Sequence, residues 1–93
     1  MTSEALQEVL DKELERWTVS EGKLYREYSF KSYVAAAAFV QTLAEEAEGQ
    51  NHHPDLLLTW RKVSIWLYTH DSNGITELDV KFAKVAEGEY KIK

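Results

Sequence analysis

The stretch that decides the fold is KVSIWLY, residues 62–68, because its apolar side chains recur at every second position. Val63, Ile65 and Leu67 alternate with a serine, a tryptophan and a tyrosine. Successive side chains of an extended chain point to opposite faces, so this period of two predicts a β-strand with one face on a core. The other face carries two aromatic rings, and we expect it to look away from the helices toward a pocket or a partner.

Three more extended segments precede this strand. Residues 56–60 form one, and residues 17–19 and 24–30 form two others, joined by the turn sequence SEGK at positions 20–23. A glycine in a short connection between two β-type runs is typical of a hairpin. Strands that arrive as hairpins predict an antiparallel sheet rather than a parallel one.

Two amphipathic helices are predicted around the first hairpin. The first covers residues 3–15, with Ser3 as its N-cap. The second begins after Ser29, which is placed to cap it, and ends where Gly49 and Asn51 supply a C-cap before a proline. Its apolar face is assigned to Tyr33, Ala36, Ala37, Val40, Leu43, Ala44 and Ala47.

A third helix is predicted near the C-terminus. Thr76-x-x-Asp79 has the spacing of a capping box, in which the two side chains satisfy backbone N–H groups at the start of a helix. The charged residues 87–93 are expected to fray. The apolar face of this helix is assigned to Leu78, Phe82, Val85 and Ala86.

The element order is therefore α-β-β-α-β-β-α. It predicts an α+β fold, in which a four-stranded antiparallel sheet has three helices packed on one face. A chain of 93 residues with 44% hydrophobic content is expected to form a single domain over residues 1–93.

Composition argues against several classes of function. The chain has no cysteine, so disulfides, thiol nucleophiles and thiolate metal sites are excluded. A net charge of −5 with no basic cluster argues against direct binding to nucleic acid. The longest apolar run, residues 34–40, is too short for a bilayer, and the first residues lack the pattern of a signal peptide. We therefore expect a cytoplasmic protein without membrane contact.

All three histidines of the chain fall within one spaced motif, E-x3-H-H-P-x5-W-x9-H-x8-D. An imidazole has an unperturbed pKa of about 6.5, so it can donate or accept a proton near neutral pH. Three imidazoles between two carboxylates therefore indicate proton-transfer chemistry. The motif consists of Glu48, His52, His53, Pro54, Trp60, His70 and Asp79.

Each motif residue also has an ordinary structural interpretation. Glu48 alone would be a solvated residue near a helix end, Asp79 a capping carboxylate, and Trp60 a core aromatic. The His-His-Pro sequence could form a plain turn, and the third histidine could end a strand. Three histidines and a carboxylate could also bind zinc, but adjacent histidines on a turn rarely reach one ion, so no metal site is predicted.

The sequence resembles the pterin-4a-carbinolamine dehydratase family from about Trp17 to the last helix. The spacing from Glu48 to Asp79 follows the family pattern without insertion or deletion, whereas the alanine run at residues 35–38 and the leucine-rich strand after the proline depart from it. The matching segments are Arg26-Glu27-Tyr28-x-Phe30-Lys31, Phe39, Glu48-x3-His52-His53-Pro54, Trp60, Thr69-His70-Asp71 and Gly74-x-Thr76-x-x-Asp79.

This resemblance implies dehydration of a 4a-hydroxytetrahydropterin to quinonoid dihydropterin, the step that recycles pterin after an aromatic amino acid hydroxylase has used it. It implies a hydro-lyase that needs no metal or redox cofactor. His52 and His70 would act as acids toward the hydroxyl, and His53 would bind the pterin with a share in base catalysis. The residues expected to bind substrate are Glu48, Pro54, Trp60 and Asp79.

Two expectations concern partners. The chain is expected to form a homodimer or homotetramer, because its core is small and the sheet ends in an unpaired strand. An alternative to catalysis is a protein-interaction role, since the same family includes members that stabilise dimers of a homeodomain transcription factor. The aromatic face with Trp66 and Tyr68 could then contact a protein partner.

Overall fold

One antiparallel sheet of four strands forms the centre of the computed structural model, which describes residues 1–91. The strands are β1 (Thr18–Ser20), β2 (Lys23–Ser29), β3 (Asp55–Thr59) and β4 (Lys62–Leu67). Their order in the sheet is β1-β2-β4-β3, so the strand KVSIWL lies inside the sheet and β1 and β3 are the edges. Leu57 of β3 faces Ser64 of β4, and Leu24 of β2 faces Leu67 of β4.

Three helices pack against one face of this sheet, and a short 3-10 turn, His70–Ser72, follows β4. The helices are α1 (Ser3–Glu13), α2 (Tyr33–Gln50) and α3 (Glu77–Lys91). The predicted α+β fold and element order are therefore confirmed. No helix within residues 1–91 is both long and apolar enough to cross a membrane.

Two of the predicted helix caps are wrong by one to three residues. Thr2, rather than Ser3, caps α1, because its side chain accepts the backbone N–H of Ala5 at 3.1 Å. Ser32, rather than Ser29, caps α2 in the same way. Ser29 is instead the last residue of β2, since its backbone still pairs with β4. Neighbouring hydroxyl residues compete for a cap, and backbone pairing elsewhere decides between them.

The buried faces of α2 and α3 also differ from the predicted ones. In α2 the buried side chains are Ala36, Phe39, Leu43 and Ala47, whereas Tyr33 and Ala44 are exposed. In α3 the helix is rotated so that Asp79 points inward, which leaves Leu78 49% exposed. The side chains buried on α3 are Asp79, Val80, Phe82, Ala83 and Ala86.

A partly buried ion pair holds the C-terminal half of α3 on the sheet. Arg26 of β2 donates to the Glu87 carboxylate, and the Tyr28 hydroxyl donates to the same oxygen. The Arg26 guanidinium also lies 3.9 Å from the centre of the Tyr28 ring. The Tyr90 hydroxyl adds a bond of 2.7 Å to the carbonyl of Ser29. The prediction that residues 87–93 fray is wrong for residues 87–91, and residues 92–93 lie outside the described part of the chain.

The opposite face of the sheet carries an aromatic pair, as the alternation in β4 predicts. Trp66 and Tyr25 are direct cross-strand neighbours, and their ring centres lie 5.2 Å apart. Both rings are half-buried. Ser64, on the same side of β4 as Trp66, is buried.

Replacing Glu87 with alanine is expected to lower the free energy of unfolding by about 3 kcal/mol, because Arg26 and the Tyr28 hydroxyl would both lose a partly buried partner. Urea unfolding followed by circular dichroism measures the change. Glu45→Ala is the matched control, since this exposed α2 carboxylate contacts only the Gln41 side chain and should cost less than about 0.5 kcal/mol. Equal effects of the two variants would contradict the role of the ion pair.

Alkaline pH is expected to destabilise the fold through Tyr28. Burial, and then the Glu87 carboxylate, raise the pKa of Tyr28 well above its usual range. In the unfolded chain this tyrosine loses its proton near pH 10, so unfolding becomes more favourable above that pH by about 1.4 kcal/mol per pH unit. Urea unfolding between pH 8 and 11.5 should show this slope, and Tyr28→Phe should reduce it. The same slope in both proteins would rule the explanation out.

Candidate active site

The end of α2 places two histidines at a fixed point on the surface. Asn51 adopts the left-handed conformation with φ 51°, and the backbone N–H of His52 donates to the carbonyl of Ala47 at 3.1 Å. This closure is typical of a Schellman motif and confirms Asn51 as the C-cap. Gly49 lies inside the helix instead, so its predicted share in the cap is wrong. His52 therefore leaves the helix in a direction that the backbone itself determines.

His52 contacts a buried carboxylate on another helix. Its Nε2 atom lies 2.6 Å from Oδ1 of Asp79, in the first turn of α3. The His52 side chain is 11% exposed and the Asp79 side chain is fully buried. This contact ties the end of α2 to the start of α3, and it leaves Nδ1 as the imidazole nitrogen that Asp79 does not occupy.

Further donors satisfy the Asp79 carboxylate. The Thr69 hydroxyl donates to Oδ2 at 2.8 Å, and the backbone N–H of Thr76 donates to the same atom at 2.9 Å. The Thr76 hydroxyl in turn accepts the backbone N–H of Leu78 at 3.2 Å, so the predicted capping box is confirmed. A buried charge without such partners would be strongly unfavourable. Asp79 thus caps α3 and positions His52 at once.

A second histidine–carboxylate pair lies beside the first but on the surface. His53 Nε2 is 2.5 Å from Oε2 of Glu48, and the two side chains are 56% and 78% exposed. Glu48 is in the last turn of α2, so the helix end holds this carboxylate next to the turn that carries the imidazole. Water reaches this pair freely, and a ligand can reach it as well.

The third histidine lies on the short turn between β4 and α3. The backbone of Thr69 pairs with Gly74 in both directions, at 2.9 and 3.3 Å, and this closes the turn. His70 is exposed, and its ring centre is 5.1 Å from that of Tyr68 in an edge-to-face contact. The Tyr68 hydroxyl donates to Asn73 Oδ1 at 2.6 Å, which fixes the aromatic wall beside the imidazole.

The structure therefore brings together most of the predicted site residues. Glu48, His52, His53 and Asp79 are joined by direct contacts or by adjacency in the chain. His70 follows Thr69, which contacts Asp79, but the one side-chain contact described for His70 is with Tyr68.

Pro54 and Trp60 lie at opposite ends of β3. Pro54 directly follows His53 and precedes the strand, so it stays beside the site. Trp60 is at the turn between β3 and β4 and is 72% exposed. A strand advances about 3.3 Å per residue, so this ring is roughly 20 Å along the chain from Pro54. The structure does not bring Trp60 to the histidines of its own chain, and it is not a core aromatic.

The sequence pattern does not indicate the part played by Thr69. Its hydroxyl contacts both Asp79 and the Thr76 hydroxyl, the latter at 2.7 Å, so it links the β4 end to the cap of α3. The signal was weak, because a threonine before a histidine is compatible with many turns. Only the folded chain puts this hydroxyl next to a carboxylate ten residues away.

This arrangement can transfer protons and bind N–H groups of a ligand. One imidazole is held by a buried carboxylate, the next imidazole in the chain pairs with an exposed carboxylate, and the third is exposed on the turn after β4. Within residues 1–91, no group of three or more His, Cys, Asp or Glu side chains is placed to hold a metal ion.

Curated relatives share a large part of this sequence. A protein of Nostoc punctiforme is 44% identical over 73 residues, which are 78% of each chain. A protein of Alkaliphilus metalliredigens is 36% identical over 84 residues, which are 89% of this chain and 76% of that one. Both carry the name "Putative pterin-4-alpha-carbinolamine dehydratase".

Solved structures share the fold. A transcriptional coactivator/pterin dehydratase from Brucella melitensis superposes with a TM-score of 0.88 at 32% identity over 95% of both chains. A pterin dehydratase-like protein, identified as a RuBisCO assembly factor in the alpha-carboxysome, has a TM-score of 0.65 at 24% identity over 78% of this chain and 84% of that one, which shows the fold alone. The family model described as pterin 4 alpha carbinolamine dehydratase matches residues 1–88. The chain therefore belongs to the pterin 4 alpha carbinolamine dehydratase family.

Proposed function

We propose that this protein removes water from a 4a-hydroxytetrahydropterin to give quinonoid dihydropterin. Family membership supports the reaction class, a hydro-lyase acting on a pterin. The observation that carries the proposal is the pairing of two adjacent imidazoles with two carboxylates, one buried and one exposed. The recycling of pterin after an aromatic amino acid hydroxylase, in the cytoplasm, is the physiological setting that fits this reaction.

The reaction needs an acid and a base, and no electrons are transferred. The bond between C4a and the hydroxyl oxygen breaks while an acid gives that oxygen a proton, so water leaves. A base takes the proton from the adjacent ring nitrogen, and a carbon–nitrogen double bond forms. Each well-placed acid or base typically contributes about 10²–10⁴-fold to the rate.

Accessibility divides the histidines into two groups. His53 and His70 are exposed, so substrate can contact both rings, and we assign the proton transfers and pterin binding to them. His52 is nearly buried and its Nε2 is already engaged by Asp79. The earlier assignment of His52 as an acid toward the hydroxyl therefore depends on its Nδ1 atom. A positioning role for the His52–Asp79 pair is the simpler account.

Glu48 is well placed to recognise the pterin ring. A carboxylate has two acceptor oxygens, and pterins present pairs of N–H groups along one edge. Because Glu48 is 78% exposed, its carboxylate oxygens are accessible to such a pair of donors. Its contact with His53 then couples substrate binding to the position of an imidazole.

A protein-interaction role is the second candidate, and it has a specific observation in its favour. One solved relative is named as a coactivator as well as a dehydratase. In this chain the start of α2 exposes Tyr33 at 55% and Val34 at 78%, which is unusual for apolar side chains on a helix. Absence of any dehydration by the pure protein would favour this candidate.

Replacing His53 or His70 with alanine is expected to lower the dehydration rate at least roughly tenfold in each case, because each change removes a proton-transfer or binding group. The rate is measured on 4a-hydroxytetrahydropterin generated enzymatically in the same mixture. Both side chains are exposed, so thermal unfolding should change little. Full activity in both variants would remove the catalytic assignment.

Asp79→Asn is expected to lower the rate about ten- to hundredfold, since a displaced catalytic group costs that much even when the chemistry is intact. Thr69→Val should lower the rate by a smaller factor. It removes one hydrogen-bond donor from the Asp79 carboxylate but keeps the shape of the side chain at position 69. Asp71→Asn is the matched control. This carboxylate lies in the turn between β4 and α3, two residues after Thr69, and it is exposed. If folded Asp79→Asn retained the rate of the control, the positioning role would be excluded.

A further inference from the structure

His70 differs from the other two histidines in the way its ring is held. His52 and His53 each contact a carboxylate, at 2.6 and 2.5 Å. His70 is exposed, and its ring packs against Tyr68, with 5.1 Å between the ring centres and 78° between the ring planes. A group that transfers a proton must be held close to its productive geometry. Tyr68 is the described side chain that can restrict the orientation of this imidazole.

The Tyr68 ring is itself held at two points. Its hydroxyl donates to Asn73 Oδ1 at 2.6 Å, and Nζ of Lys23 lies over the ring, 5.9 Å from its centre. A cation within about 6 Å of the centre of an aromatic ring is attracted to the ring face. Lys23 is on β2, so the ring is fixed to the sheet on one side and to the turn on the other.

Asn73 is suited to the turn by its backbone, but its side chain has a separate task. Its φ is 54°, in the left-handed region that asparagine tolerates better than most residues. The next residue, Gly74, does not have a positive φ. A glycine at position 73 would allow the same backbone, since it has no Cβ. The conformation of the turn therefore does not require the side chain of Asn73, which supplies the acceptor for the Tyr68 hydroxyl.

Backbone hydrogen bonds close the turn without these two side chains. Thr69 and Gly74 pair in both directions, at 2.9 and 3.3 Å. The N–H of Asn73 donates to the carbonyl of His70 at 3.1 Å, and the N–H of Ser72 donates to the carbonyl of Thr69 at 3.2 Å. Loss of the Tyr68–Asn73 hydrogen bond should therefore change the orientation of side chains rather than the fold of the turn.

We propose that Tyr68 is a positioning residue for His70, and that Asn73 holds Tyr68 in place for this purpose. The Tyr68–Asn73 pair restricts the imidazole to one orientation beside the aromatic ring. The inference rests on the proposed function, in which His70 takes part in proton transfer. A misplaced proton-transfer group slows the chemical step, whereas substrate contacts elsewhere in the site remain, so the effect should fall on kcat rather than on KM.

Two single variants remove the hydrogen bond with little other change. Tyr68→Phe keeps the ring, and Asn73→Gly keeps the left-handed backbone. Each is expected to lower kcat for 4a-hydroxytetrahydropterin about three- to tenfold and to leave KM within about twofold. The double variant should be no slower than the slower single variant, because both changes remove the same bond. Asn73→Asp should restore most of the rate, since it keeps an acceptor oxygen.

Tyr25→Phe is the matched control for these kinetic measurements. Tyr25 is also half-buried, and its hydroxyl donates to Glu27 Oε2 at 2.9 Å. Its kcat and KM should equal those of the natural protein, and all variants should unfold within about 5 °C of it. If Tyr68→Phe and Asn73→Gly behaved like this control, the positioning role would be excluded. An increase in KM for Tyr68→Phe with unchanged constants for Asn73→Gly would also contradict it, because Tyr68 would then contact the substrate directly.

Proton NMR of the imidazoles tests the pair without any substrate. The chain has three histidines, so the signals of His70 are those missing from His70→Ala. An aromatic ring 5.1 Å away shifts these signals, and Tyr68→Leu gives their positions without the ring. In Asn73→Gly the signals should move toward those positions, because Tyr68 is no longer held, whereas in Tyr25→Phe they should not move. Unmoved signals in Asn73→Gly would overturn the inference.

The two measurements separate this inference from the function on which it rests. If the natural protein dehydrated no 4a-hydroxytetrahydropterin but the His70 signals moved as expected, the proposed function would fail and the contact between the Tyr68–Asn73 pair and His70 would be supported. If the natural protein were active but neither the signals nor kcat changed in Asn73→Gly, the positioning role would fail and the function would stand.

Discussion

The buried carboxylate of Asp79 is the constraint on which the site depends. A fully buried charge must be surrounded by donors, and here they come from the turn after α2, from the end of β4 and from the start of α3. Each donor fixes one segment relative to the other two. The position of His52, the closure of the turn that carries His70 and the first turn of α3 thus share one cause.

The two histidine–carboxylate pairs have similar geometry but opposite surroundings. His52 and Asp79 are largely shielded from water. His53 and Glu48 are open to solvent, where a charge pair contributes little to stability and is easily rearranged. The proposed function uses this difference, since the buried pair holds the shape of the site and the exposed pair is accessible to a substrate.

Sequence patterns predicted the sheet, its antiparallel sense and the order of the elements, because each rests on local periodicity and turn chemistry. The first residues of the helices were harder to predict. Ser3 and Thr2 are similar as N-caps, and so are Ser29 and Ser32. Only the packing of each helix decides which hydroxyl caps it. The apolar face of α3 was misjudged for a related reason. Asp79 looks like a surface residue until its donors are known, and turning it inward moves Leu78 outward.

The sequence by itself determined which side chains could perform the chemistry, because the spacing of three histidines, two carboxylates and a proline is a property of the chain alone. It also contained the capping box that fixes Asp79. Only the tertiary structure decided which of these groups meet. Contacts such as His52 with Asp79 and Thr69 with Asp79 join residues 27 and 10 positions apart, and they form only when helices and turns pack on the sheet. The same packing holds Trp60 away from its own histidines, since an extended strand cannot fold back on itself.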